Sequence, residues 1–214
     1  MSTRTFPDVH DLACATRTCV SAQPPDIVTM LDRAASVFAR YGYVDSHVDA
    51  LSARLGLSKP RLYALFGSKQ KLYTAVVRHE RAIFEAAVVN SICRARPQTL
   101  WALAARVLAS VWRLQTSRPQ TLRVLFGTTD WRVLQEEKRG VLDRIEEVLF
   151  AQVANCDHTA CLAGRSGDAT AVTRAILSLA LVTSELLATG RASRQGLRSL
   201  VGHLCASKSA NGPT

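Results

Sequence analysis

Aromatic side chains make up only 6% of this 214-residue chain, cysteines number six, and acidic residues fall well short of basic ones, 17 against 27. Six cysteines are too few for a disulfide scaffold at this length. Their spacings, Cys14-x4-Cys19 and Cys156-x4-Cys161 with Cys93 and Cys205 alone, lack the two-residue gap of common zinc knuckles. Apolar runs such as residues 175–182 fall short of the ~20 residues that a membrane-spanning helix needs. Residues 1–25 contain no apolar core of a signal peptide and read as a flexible arm ending at Pro24 and Pro25. Neither a membrane nor a secreted protein is expected. A Gly-rich phosphate loop, a nucleophile elbow and a helical His-Glu metal motif are all missing, so no enzyme, cofactor or resident metal is expected.

What is present is a globular composition, 48% hydrophobic, with a formal net charge of +10. That charge suits a polyanionic partner, nucleic acid first and a membrane surface second. Beyond Pro25 the apolar residues recur with the 3.6-residue helical period, and no stretch sustains the alternation of a strand. The fold class read from this pattern is all-α.

The first helix is expected to start at Asp26, bury Ile27, Leu31, Ala34, Ala35 and Phe38, and stop near Gly42. Ser46-His47-Val48-Asp49 reads as a capping box opening a short helix with Val48, Leu51 and Leu55 inward. Gly56 stands where a left-handed terminator is wanted. Ser58 then caps a second short helix, with Leu57 and Leu62 as a hydrophobic staple, Pro60 in its first turn, and Leu62 and Leu65 as its core positions. After Gly67, Ser68 caps a longer helix reaching about Arg94. Two short helices joined by a Gly-containing turn form a helix-turn-helix over residues 47–66, whose second helix is the one to enter a major groove.

Between Arg54 and Arg81 the chain carries seven basic residues (Arg54, Lys59, Arg61, Lys69, Lys71, Arg78, Arg81) and one acid, Glu80, a balance of six of the ten net charges. Lys69 and Lys71 oppose the dipole of the helix they open, but a helix start with free N–H groups plus lysine makes a phosphate site. Arg61 can pair with guanine O6 and N7, and Lys59 can read a base or hold a phosphate. Ala64 can meet a thymine methyl or simply avoid a clash. Tyr63 can give its O–H to a phosphate, brace the first helix, or do both.

Residues 27–72 resemble the N-terminal domain of the TetR family of bacterial transcriptional regulators. Three blocks carry the resemblance: residues 34–43 (AASVFARYGY), residues 51–59 (LSARLGLSK) and residues 62–72 (LYALFGSKQKL). The resemblance implies a homodimeric, cytoplasmic and nucleoid-associated repressor of a palindromic double-stranded DNA operator, released by a small-molecule effector. It implies phosphate contacts from Tyr63 and Lys69, and a groove-facing helix spanning Ser58, Lys59, Pro60, Arg61, Tyr63 and Ala64, with His47, Ser68 and Lys71 beside it. The chain departs from the pattern in three places: His47 and Arg61 each replace a common Thr, and Ala64-Leu65 replaces an aromatic or His-containing pair. The implied organisation is an arm (1–25), a DNA-binding domain (26–84), an effector-binding and dimerisation body (85–208) and a tail (209–214).

In the body the period predicts helices near 98–116, 119–127, 131–154, 168–189 and 193–206. The fourth is apolar nearly all round, which implies burial on more than one side. Val172, Ile176, Leu179, Val182 and Leu186, with Leu197, Leu200 and Leu204, are the candidates for a two-fold four-helix interface. Effector candidates are Trp101, Trp112, Phe126 and Trp131 by type, and Ser178 and Glu185, in line with Arg174, by placement. Cys156, His158 and Cys161 form the alternative, a redox- or metal-responsive sensor.

Overall fold

Helical periodicity resolves, in the computed structural model, into eight α-helices among the described residues, which are 26–93, 100–127, 132–154, 169–191, 195, 196 and 199. In chain order they are α1 (Ile27–Tyr41), α2 (Val48–Leu55), α3 (Lys59–Phe66), α4 (Lys69–Cys93), α5 (Leu100–Ser117), α6 (Pro119–Phe126), α7 (Arg132–Ala154) and α8 (Ala169–Ala188). The arm, the 193–206 segment apart from residues 195, 196 and 199 (so Leu197, Leu200 and Leu204 too), the cluster Cys156/His158/Cys161, Trp131, the Trp101 side chain and the tail lie outside the described residues.

The α1–α3 head closes over Leu31, Ala34, Ala35, Phe38, Leu51, Leu55, Leu62 and Phe66, all buried. Gly56 ends α2 with φ +68°, a left-handed conformation that a β-carbon disfavours. Two details differ from the sequence expectation. The capping box does not form: His47 is the N-cap residue without a side-chain cap, and the buried Ser46 hydroxyl instead donates back to the Gly42 carbonyl. On α3, Leu65 is 47% exposed, and Phe66, one turn beyond Leu62, fills the core position. The 3.6-residue period favours the i, i+4 pair Leu62 and Phe66 over Leu62 and Leu65 for a helix resting on a narrow seat.

Helix α4 is the spine. Its 25 residues run unbroken past residue 84, where the sequence places a domain boundary, and pack against α1, α3, α5, α6 and α7. Against α7 the Arg81 guanidinium lies over Gly140, where a β-carbon would come within 2.9–3.1 Å of it. Those atoms are the movable end of the Arg81 side chain, so a β-carbon would displace the guanidinium and not the helix, and a glycine inside a helix costs about 1 kcal/mol relative to alanine. Helix α8 is long and apolar enough, by length and composition, to cross a membrane. Here its inner face, including Thr173, Ile176, Leu177, Ala180, Ser184 and Leu187, is buried, and it packs against α5, α6 and α7. Ile176 therefore faces the body core instead of the outward stripe proposed for it.

Head and body meet at a polar cluster. Arg118, just ahead of α6, donates from Nη2 to Asp32 Oδ1 of α1 at 2.6 Å and to Glu80 Oε1 of α4 at 3.3 Å. Thr121 Oγ1 donates to Glu80 Oε2 at 2.5 Å, and His79 Nε2 lies 2.9 Å from Asp32 Oδ1. Glu80 is fully buried, so its carboxylate depends on these partners. Burial pushes the Asp32 carboxyl up, but hydrogen bonds from Arg118 and His79 outweigh that and hold it below its ordinary value.

Arg118→Ala strands the Glu80 charge and is expected to cost about 3 kcal/mol in urea unfolding, and Glu80→Gln, which keeps an acceptor for Thr121, about half as much. Because the folded Asp32 pKa is depressed, its contribution is full above the unfolded value of about 3.9 and is lost as pH falls through the folded one. Acid unfolding of Asp32→Asn should therefore show a shallower pH dependence below about pH 4 than the parent.

Candidate nucleic-acid interface

The start of α3 is organised by Ser58, whose hydroxyl accepts from the Arg61 backbone N–H at 3.4 Å, with Pro60 in the first turn where no N–H is needed. With Leu62 and Phe66 turned inward, the outward side presents Lys59, Pro60, Arg61, Tyr63, Ala64 and Leu65, all exposed. His47, at the head of α2, is exposed beside them. Ser68 caps α4 in the same way, accepting from the Lys71 N–H at 3.1 Å.

Two of the lysines are already engaged within the chain. Lys59 Nζ lies 2.5 Å from Asp49 Oδ1 of α2, and that hydrogen bond raises the lysine pKa. Lys69 Nζ donates to the Val44 carbonyl at 3.1 Å and sits 4.6 Å from the centroid of the Tyr43 ring. Burial lowers the Lys69 pKa, against a smaller opposing effect of Asp45. Tyr43 in turn contacts Tyr73, whose ring stands edge-on to Phe38 at 4.9 Å. Tyr73 and Tyr43 both pack on Phe38 of α1, while Tyr63 is 45% exposed. Arg54 donates to Ser36 Oγ at 3.3 Å and ties α2 to α1.

Sequence reasoning missed two residues on this surface. Leu65 was assigned to the core; exposed next to Ala64, it offers the groove a second apolar contact of the kind that meets a thymine methyl. Asp49 was assigned to a capping box and instead meets Lys59. The 3.6-residue period could have found the first. The second depends on how α2 and α3 cross, which has no local signal.

Elsewhere the candidates are scattered. Trp112 is partly buried against the core, and Phe126 is buried edge-on to Phe84 at 5.2 Å. Ser178 and Glu185 are exposed on α8, and Arg174 beside them contacts Glu146 at 3.4 Å. A groove of about 600 Å³ between α4 and α5, lined by Ser91, Arg106, Ser110 and Arg113, includes none of them. Nor does a cleft of about 840 Å³ that runs from Phe38–Asp45 to Gln115, Arg123 and Leu187–Arg191. Metal-ligand atoms of Asp32, His79 and Glu80 lie within 4.8 Å of one another. The Arg118 guanidinium already bonds both carboxylates there, so the cluster carries its own cation.

Two short helices, the second with an exposed and partly basic outer face, form a helix-turn-helix unit. Residues 30–76 match the model described as "Bacterial regulatory proteins, tetR family". That match identifies residues 30–76 as a TetR-type DNA-binding region of the kind found in bacterial transcriptional regulators. No curated protein matches. Among solved structures, a TetR-like transcriptional regulator from Rhodococcus sp. RHA1 is 20% identical over 86% of this chain and 94% of its own, with a TM-score of 0.62. The TetR family regulator CifR, solved with a 26-bp operator duplex, is 21% identical over 85% and 96%, with a TM-score of 0.64. FadR from Bacillus subtilis, solved with stearoyl-CoA, is 14% identical over 84% and 98%, again at 0.64. These likenesses extend the shared fold through the body.

Lys69→Ala is expected to weaken binding to all duplexes alike and to flatten the salt dependence by about one phosphate contact. Arg61→Ala should relax preference at one base pair, by about 1–3 kcal/mol of discrimination. Fluorescence anisotropy over a set of operator variants separates the two, and matching profiles would contradict these roles.

Proposed function

We propose that this protein is a homodimeric repressor that leaves a palindromic operator when a small molecule binds its body. The carrying observation is the outer face of α8. Leu179, Val182 and Leu186 are 37%, 53% and 36% exposed, on a helix whose other face is already buried. Val172 is partly buried beside them, and Phe150 of α7 adds a further exposed ring at 45%. An apolar stripe on both sides of one helix suits an isologous contact with a second copy. A dimer would set the two α3 helices about 34–36 Å apart, one turn of DNA.

In this reading residues 26–84 form the DNA-binding domain and residues 85–208 the effector-binding and dimerisation domain. The groove-facing set is His47, Ser58, Lys59, Pro60, Arg61, Tyr63 and Ala64, with Ser68, Lys69 and Lys71 at the phosphates. The work is done in the bacterial cytoplasm, on the nucleoid, and is regulatory instead of catalytic. That FadR is solved with stearoyl-CoA and CifR with operator DNA supports a body that takes a small molecule and a head that takes a duplex. Of the pocket candidates, Phe126 lies in the core and Trp112 packs against it, and neither lines the groove or the cleft described above.

Val182→Glu places a charge on the stripe and should give a monomer by sedimentation, with an unchanged helical spectrum and operator affinity at least tenfold weaker. A dimer that survives this change would contradict the α8 interface. Selecting bound fragments from the source genome at moderate salt should return a short palindrome near one or a few promoters; recovery without a shared motif would contradict a dedicated operator.

A further inference from the structure

The ion pair on the DNA-facing surface is unusual in what it places there. A surface that approaches a duplex meets about one phosphate charge per 1.7 Å of axis, and a carboxylate on it is repelled. Yet Asp49 is 75% exposed, and its side chain reaches from the second residue of α2 to the first residue of α3, to hold Lys59 at 2.5 Å. With Asp49 and Lys59 both well exposed, such a pair does little for folding. Its consequence falls on binding. In the free protein Lys59 points at Asp49, so one of the cations on the reading face is neutralised before DNA arrives. For Lys59 to contact DNA it must leave Asp49, and the carboxylate is then left facing the phosphates.

That exchange weighs differently on different sequences. Where Lys59 gains only a phosphate, it replaces one anionic partner with another and exposes a repelled charge. Where it gains a guanine edge, it adds directed hydrogen bonds that no other base pair offers. We propose that Asp49 is a specificity-determining residue, which restrains Lys59 from the phosphate backbone and lets it go only to a matching base edge. The proposal rests on the head binding DNA. Asp49 also lies in the first turn of α2, where any acidic residue is favourable to the helix dipole. A dipole role alone leaves the salt dependence of DNA binding unchanged, which separates the two.

The test uses the full chain and a random-sequence duplex, titrated by fluorescence anisotropy across a range of salt concentrations. Asp49→Asn should bind this duplex about two- to fivefold tighter than the parent, with a salt slope steeper by about one phosphate contact. Asp49→Glu, which keeps the charge, should behave as the parent. Adding Lys59→Ala to Asp49→Asn should return affinity to that of Lys59→Ala alone. An unchanged salt slope in Asp49→Asn would overturn the proposal. So would a double variant that keeps the gain, because the carboxylate would then act by general repulsion and not through Lys59. Thermal unfolding checks each variant, and where Asn lowers the melting point, Asp49→Ser repeats the test. A parent protein that fails to bind any duplex at low salt would instead overturn the DNA-binding reading on which the proposal stands.

Discussion

A buried carboxylate sets the terms for how this molecule is joined. Glu80 is fully buried in α4, and it is held by Arg118 and Thr121 from the segment that opens α6. Arg118 also grips Asp32 of α1, 86 residues away in the chain. One guanidinium therefore joins the first helix of the head, the spine and the body, where apolar packing alone would leave their relative placement less specific. Such groups are costly to strand and strongly directional. The Arg118 pKa is raised chiefly by its hydrogen bond to Asp32.

The reading surface follows from the same economy of charge. The stretch from Arg54 to Arg81 is rich in cations, but several of them have work to do inside the chain. Lys69 holds the Val44 carbonyl and the Tyr43 ring, Arg54 holds Ser36, and Lys59 holds Asp49. Arg54 ties α2 to α1 and Lys69 ties the start of α4 to the loop at Val44, while the exposed Lys59–Asp49 pair between α2 and α3 adds little to folding. Part of the basic surface is thus also used in contacts within the head.

Local features were legible in the sequence and long-range ones were not. Helix positions, the Ser58 and Ser68 caps and the left-handed Gly56 all follow from residue spacing within one or two turns, and the structure has them. Ser46 failed as a cap because its hydroxyl satisfies the Gly42 carbonyl left open at the end of α1. Leu65 falls on the outer face because four residues lie closer to a whole helical turn than three, which sets Phe66 and not Leu65 over Leu62. The Arg118 cluster had no signal at all: its partners lie 38 and 86 residues away, and an arginine before a proline looks like any exposed turn. Similarly, only the crossing of α2 and α3 turns Asp49 from a helix starter into a partner of Lys59.

The position of Glu80 along α4 gives the long helix a mechanical character. Eleven residues separate it from Lys69 and thirteen from Cys93, or about 16 Å and about 20 Å of helix on either side. Held near its middle by Arg118 and Thr121, α4 extends arms of almost equal length to either side of that point. A tilt that moves the Cys93 end in one direction moves Lys69 in the other, by a slightly smaller distance. For a rigid rod turning about Glu80, the loop around Val44 that Lys69 holds would travel opposite to the Cys93 end and nearly as far.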